Sequence, residues 1–155
     1  MFRLKTKFIT DVIEYDTAST IYEVLKDTIT WEEGVRSKKG FTRLAKSIDL
    51  VEQPELEKII KDTLTKFNLA TNYIIGGVYI NYYKDGQMWT PNHSHPKMHQ
   101  LVISLGATRT LIVNKTSYKM NNGSAIMFGS SVHGVPKENV LDGRISIAVF
   151  MISFK

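Results

Sequence analysis

Cysteine is absent from this chain of 155 residues. That excludes disulfide cross-links, a disulfide-linked partner, zinc–thiolate sites and thiol nucleophiles, and it fits a reducing compartment. Long apolar runs are missing too, since no stretch approaches the ~20 residues that a membrane-spanning helix needs. The opening residues, MFRLKTKFITDV, lack the apolar centre of a secretory signal. By elimination the expected address is the cytoplasm, with no membrane partner. Histidine is scarce as well, at four residues.

What is present describes an ordinary folded domain. With 43% hydrophobic and 23% charged residues, disorder is not the default, and the length suits one unit over residues 1–155. The net charge is +5, and the excess is uneven: residues 84–155 carry eight Lys/Arg against three Asp/Glu. A balance of this kind permits a polyanionic partner without requiring one.

Periodicity divides the chain in two. In residues 17–29, Ile21, Val24, Leu25 and Ile29 fall on one helical face, with Asp16 or Thr17 placed to cap it. In residues 54–68, Pro54 suits a first turn, and Leu56, Ile59, Ile60, Leu64 and Phe67 recur at the helical period. From Tyr73 onward the pattern changes to short β-branched and aromatic segments separated by turns such as KDG, NNG and LDG. Helices followed by strands predict an α+β fold, with the strands in a sandwich or barrel over 71–155 and helical support in 1–70.

Three of the four histidines, His93, His95 and His99, fall in PNHSHPKMH, and His133 stands in GSSVHGV. Alternate strand residues share a face, so His93 and His95 are expected to project together and grip one metal ion. A third imidazole from His133 completes a facial set with positions left open. Arg144 opens an otherwise apolar segment, RISIAVFMISF, a costly place for an unpaired charge. A planar guanidinium there suits a bidentate grip on a carboxylate. Asn81 and Tyr83 share strand parity, so both can face a barrel interior.

Two families are similar. Gly86, His93, His95 and Gly106 resemble the first motif of the cupins, with His99 where that family has a glutamate ligand. The segments INYYKDGQMWTPNHSHP, LVISLGATRTLIV, NNGSAIMFGSSVHGV and GRISIAVF, from about Ile74 to Phe150, resemble the AlkB-like branch of the iron(II)/2-oxoglutarate-dependent dioxygenases. The second resemblance implies a double-stranded β-helix of the jelly-roll or cupin-like type, with the two N-terminal helices packed on one sheet. It implies iron(II) held by His93, His95 and His133, where His95 replaces the family's aspartate. It further implies 2-oxoglutarate contacted by Asn81 and Tyr83, with its distal carboxylate on Arg144 and Ser146 two residues on, and molecular oxygen as co-reactant. Phe150 stands where the family has a second arginine. A shortened loop brings His99 toward the site, as a fourth ligand, an outer hydrogen-bond donor, a base-stacking group or a rim residue.

The fainter upstream likeness, ITWEEGVRSKKGFTR, falls where that family has its nucleotide-recognition lid. Arg36, Lys38, Lys39 and Arg43 surround Phe41 with no acidic residue among them, a pattern that suits phosphate contacts with an aromatic for stacking. Trp89 is a candidate stacking wall. The expected activity is then oxidative dealkylation or hydroxylation of a base in single-stranded or flipped-base nucleic acid, as in DNA repair. The alternatives are hydroxylation of a protein side chain or small molecule, a cupin-type three-histidine metal protein, and an inactive nucleic-acid-binding module.

Overall fold

The computed structural model describes residues 4–34, 36–37, 40–68 and 73–153, with backbone alone at 36, 37, 40, 41 and 153. The elements run β1 (Lys7–Ile9), α1 (Tyr15–Thr28), β2 (Glu32–Glu33), β3 (Arg36–Ser37), β4 (Gly40–Phe41), β5 (Leu44–Ile48) and α2 (Pro54–Lys66). They continue with β6 (Tyr73–Tyr83), β7 (Thr90–His93), β8 (His99–Gly106), β9 (Arg109–Val113), β10 (Thr116–Met120), β11 (Ala125–Phe128), β12 (His133–Val135) and β13 (Arg144–Ser153). A seven-stranded antiparallel sheet has the order β1-β11-β8-β13-β6-β5-β2, and a four-stranded one has the order β10-β9-β12-β7. Strands β3 and β4 form a separate two-stranded antiparallel sheet.

The helices come close to their expected places. Helix α1 begins at Tyr15 after Glu14, whose side chain makes no capping bond, so neither Asp16 nor Thr17 caps it. Asp16 instead lies in the first turn, where its charge complements the helix dipole. Val24 is 53% exposed, and the buried side of α1 is Ala18 and Leu25 flanked by Ile21, Tyr22 and Ile29. In α2 the expected face holds: Leu56, Ile60 and Leu64 are buried, and Phe67 follows at the C-cap.

Strands before Tyr73 were not foreseen. Strand β1 closes one edge of the large sheet, and β5 with β2 extends the other. Two- and three-residue strands are too short to show a period, and LAKSI lacks strict alternation.

Strand β13 sorts the molecule into layers. Ile145, Ile147 and Val149 join one core with both helices and with Leu101, Ile103 and Leu105 of β8. Each such fully buried aliphatic side chain contributes about 1.5–3 kcal/mol. Arg144, Ser146, Ala148 and Phe150 alternate with them and line a cavity on the opposite side of the sheet. A second core there, including Val102, Leu111, Ile126, Phe128 and Val135, joins the two sheets. Among the described residues no helix is long and apolar enough to cross a membrane.

Candidate functional site

Strand β12 lies between β7 and β9, and its first residue, His133, pairs directly with His93, the last of β7. The two rings are 4.3 Å apart. His95 is not on a strand, contrary to expectation: β7 ends at His93, and the following loop returns the His95 ring to 4.8 Å from His93 and 5.6 Å from His133. The candidate ligand atoms of the three histidines all lie within 4.8 Å of one another.

Hydrogen bonds orient two of these rings. His93 Nδ1 donates to the Pro91 carbonyl at 2.8 Å, and His133 Nδ1 donates to the Ser131 carbonyl at 2.9 Å. A carbonyl can only accept, so Nδ1 carries the proton and Nε2 keeps its lone pair for a ligand. Burial pushes the His133 imidazole down to about 4, although its bond to Ser131 pulls the other way. Burial, assisted by neighbouring His93, also lowers His95. Both therefore tend toward the neutral form that metals require. Phe128 packs on His133 and Phe150 on His95, each with ring centroids 4.8 Å apart. Phe150, at the position of the resemblance's second arginine, is thus a wall beside His95.

His99 lies apart from this cluster. Its Nδ1 shares a hydrogen bond with the Tyr73 hydroxyl at 3.1 Å, and it lines no part of the cavity. The fourth-ligand expectation is therefore corrected, because the side chain turns toward β6 rather than toward the other imidazoles.

Along the cavity from the histidines stands Arg144, 1% exposed. Its Nε donates to Ser104 Oγ at 2.7 Å and its guanidinium lies 5.3 Å from the centre of the Tyr83 ring, while Nη1 and Nη2 are buried with no hydrogen-bond partner among the described residues. Burial disfavours its charge and lowers its pKa, with nearby Tyr83 partly opposing. Tyr83 and Asn81 are register partners of Arg144 and Ser146, so all four expected cosubstrate residues share one face. Asn81 Oδ1 accepts from Arg43 Nε at 3.0 Å, and the Tyr83 hydroxyl shares a 2.7 Å bond with Thr90. The cavity enclosing them holds about 760 Å³.

The expected substrate residues fare unevenly. Lys38 and Lys39 lie outside the described residues, and Arg36 and Phe41 are described by backbone alone, as register partners in the β3–β4 pair. Arg43 is half-buried; it donates to Asn81 and Thr42 and lines the cavity. Trp89 is not a cavity wall, and its ring lies under the Lys137 ammonium at 5.8 Å.

A second buried arginine escaped the sequence reading. Arg109, also 1% exposed, is paired with Glu138 at 3.2 Å and donates to the carbonyls of Asp85, Met88 and Pro136. Its signal was available in TRTLIV, an arginine opening an apolar strand as Arg144 does. The paired glycines of YIIGGVYINYY were another unread signal, since Gly76 and Gly77 both line the cavity.

No protein-family model matches the chain, and no curated protein does. Solved structures do share its fold. The non-heme alpha-ketoglutarate-dependent epimerase SnoN from nogalamycin biosynthesis matches with a TM-score of 0.77 at 8% identity, over 97% of this chain and 77% of that one. HygX from Streptomyces hygroscopicus, solved with nickel and 2-oxoglutarate bound, matches with a TM-score of 0.74 at 8% identity, over 96% and 82%. The viral collagen prolyl hydroxylase vCPH from Paramecium Bursaria Chlorella virus-1 matches at 0.64 and 17%, over 97% and 90%.

Proposed function

We propose that the protein is an iron(II)- and 2-oxoglutarate-dependent oxygenase, built on a double-stranded β-helix, that oxidises a small molecule. The carrying observation is the pair of buried, unpartnered nitrogens of Arg144 in the same cavity as three clustered imidazoles. An unpaired buried guanidinium is costly, and a carboxylate ligand removes the cost.

The residues present fit both groups. His93, His95 and His133 would hold the metal; Arg144 would grip the distal carboxylate of 2-oxoglutarate, with Ser146, Asn81 and Tyr83 shaping its berth. Three neutral imidazoles leave a dication its full +2 charge, so a dianionic cosubstrate is attracted from both ends. When bound, iron with 2-oxoglutarate and oxygen supplies the oxidising power for a substrate C–H bond. Phe128 and Phe150 pack on the rings of His133 and His95 and limit water there.

The small-molecule choice rests on the cavity, whose volume of about 760 Å³ lies in the usual range of small-molecule sites, and on Trp89 lying outside it. SnoN, associated with nogalamycin biosynthesis, supports the choice by fold analogy. A second reading, an AlkB-like enzyme acting on a nucleic-acid base, keeps one favourable observation. The basic β3–β4 pair connects Gly34 to Arg43, which both line the cavity.

The test is succinate production from 2-oxoglutarate by iron(II)-loaded protein, with and without an N-methylated single-stranded oligonucleotide. Basal succinate that disappears in Arg144→Gln supports the oxygenase. Stimulation by the oligonucleotide selects the second reading, and absence of succinate with metal bound sinks both.

A further inference from the structure

Two side chains in the cavity have unmet hydrogen-bonding groups: Arg144 and, on the neighbouring strand, Gln100. Gln100 is 2% exposed, and its Nε2 finds no partner among the described residues. Such a buried amide is destabilising unless something in the cavity accepts from it. Other polar groups nearby have partners, as in Arg43–Asn81 and Tyr83–Thr90.

Strand register locates this second demand. Gln100 pairs with Phe128 on one side and with Phe150 on the other. His133 packs on the first of these rings and His95 on the second, so Gln100 lies between the supports of the metal centre. Arg144 is anchored on Ser104, four positions along β8, about 13 Å from Gln100 by strand rise. With the distal carboxylate of 2-oxoglutarate assigned to Arg144, the Gln100 amide is a separate polar demand, four strand positions away.

The surface beside Gln100 is unusually bare. In the same cross-strand row, Phe150 pairs with Gly77, and Gly76 follows at the bulge. Neither glycine has a positive φ. A Cβ on Gly77 would meet only Tyr79 Cε2, at 3.4 Å. The backbone therefore does not demand glycine at Gly77, and glycine in a strand interior carries an entropic cost. What the residue provides is space, walled by Tyr79, Met98 and Phe150.

We propose that Gln100, with the bare floor at Gly77 and Gly76, forms a substrate subsite for a compact, mostly apolar molecule presenting a carbonyl oxygen. The Gln100 amide donates to that oxygen and holds the adjoining carbons beside the metal centre. This assignment rests on the oxygenase reading and names its substrate class.

The experiment uses full-length protein loaded with nickel(II), which avoids turnover. Calorimetry measures 2-oxoglutarate first, then 1-tetralone and its carbonyl-free counterpart tetralin, on wild type, Gln100→Leu and Gly77→Val. The expected result is tetralone bound about fivefold more tightly than tetralin, one net hydrogen bond. Gln100→Leu abolishes that preference, and Gly77→Val weakens both ligands, while 2-oxoglutarate binds all three proteins alike. The subsite is overturned by a preference that is absent in wild type or survives Gln100→Leu, by no tetralone binding, or by a selective loss of 2-oxoglutarate in Gln100→Leu. Failure of wild type to bind 2-oxoglutarate overturns the oxygenase reading itself, and the subsite with it.

Discussion

Arg144 Nε donates to Ser104 Oγ across the β13–β8 pair at 2.7 Å, and this bond fixes where the other two guanidinium nitrogens point. Replacing Arg144 with Met removes a buried, half-satisfied charge. We expect the ligand-free protein to become more stable by about 1–3 kcal/mol, because the unpaired charge was a cost. The same variant should lose 2-oxoglutarate binding by roughly 100-fold, the strength of a charge-assisted bidentate contact. Thermal melts and calorimetry on one preparation decide it; a variant that loses stability without losing affinity assigns Arg144 to the scaffold.

The histidines should separate cleanly by role. Alanine at His93, His95 or His133 is expected to weaken divalent-metal binding by more than roughly 100-fold, beyond what outer hydrogen-bond partners contribute. Alanine at His99, bonded to Tyr73 outside the cluster, should leave metal affinity within about threefold of wild type. Competition against a chelating dye measures all four, and a strong His99 effect would return that residue to the centre.

Glu138 offers a pH-dependent test. Burial pushes its carboxyl upward, but bonds from the Thr110 amide and hydroxyl and from Arg109 outweigh that and hold it below the usual range. A depressed carboxyl pKa contributes stability that is present above the unfolded value, roughly 4.5, and lost as pH falls through the folded value. Glu138→Gln should therefore cost about 2 kcal/mol at pH 7. The difference between variant and wild type should shrink below about pH 4.5. Melting curves at pH 7 and below pH 4 check this; a difference independent of pH rules out the carboxylate's charge as its source.

Gly86 is expected to tolerate nothing larger. A Cβ there would lie 1.7 Å from the Glu138 carbonyl oxygen, a backbone atom held by the Glu138 amide's bond to Gly86 and by Gly86's own bond to Val140. Gly86→Ala should destabilise by about 3 kcal/mol or more. Denaturant titration measures it, and a loss under about 1 kcal/mol would mean that the loop yields.

Much of this was legible from one-dimensional pattern. Alternation in RISIAVF separates the helix-facing side of β13 from its cavity side, and the polar members Arg144 and Ser146 announce the second. The His93, His95 and His133 grouping was readable for a different reason: imidazoles are scarce here and concentrated. Other features depend on distances that spacing does not encode. His95 reaches its neighbours through a loop, which strand parity cannot describe. Arg109 and Arg144 look alike in sequence, and only their partners distinguish them: Arg109 is enclosed by carbonyls and a carboxylate, while Arg144 is left with two idle donors. Gln100 is one polar letter near the start of the mostly apolar strand β8, and its meaning comes from the phenylalanines on either side.

The His93–His133 pairing also bears on kinetics. Strand β12 is three residues long, and at Gly134 it lies so close to β7 that an added Cβ would come within 2.4 Å of Asn92 Oδ1. Strand β7, four residues long, stands at the end of that sheet and pairs with β12 alone, so its fraying separates His93 from His133 in one motion. The residence time of an ion held by them is then coupled to how often β7 opens, a local event cheaper than global unfolding.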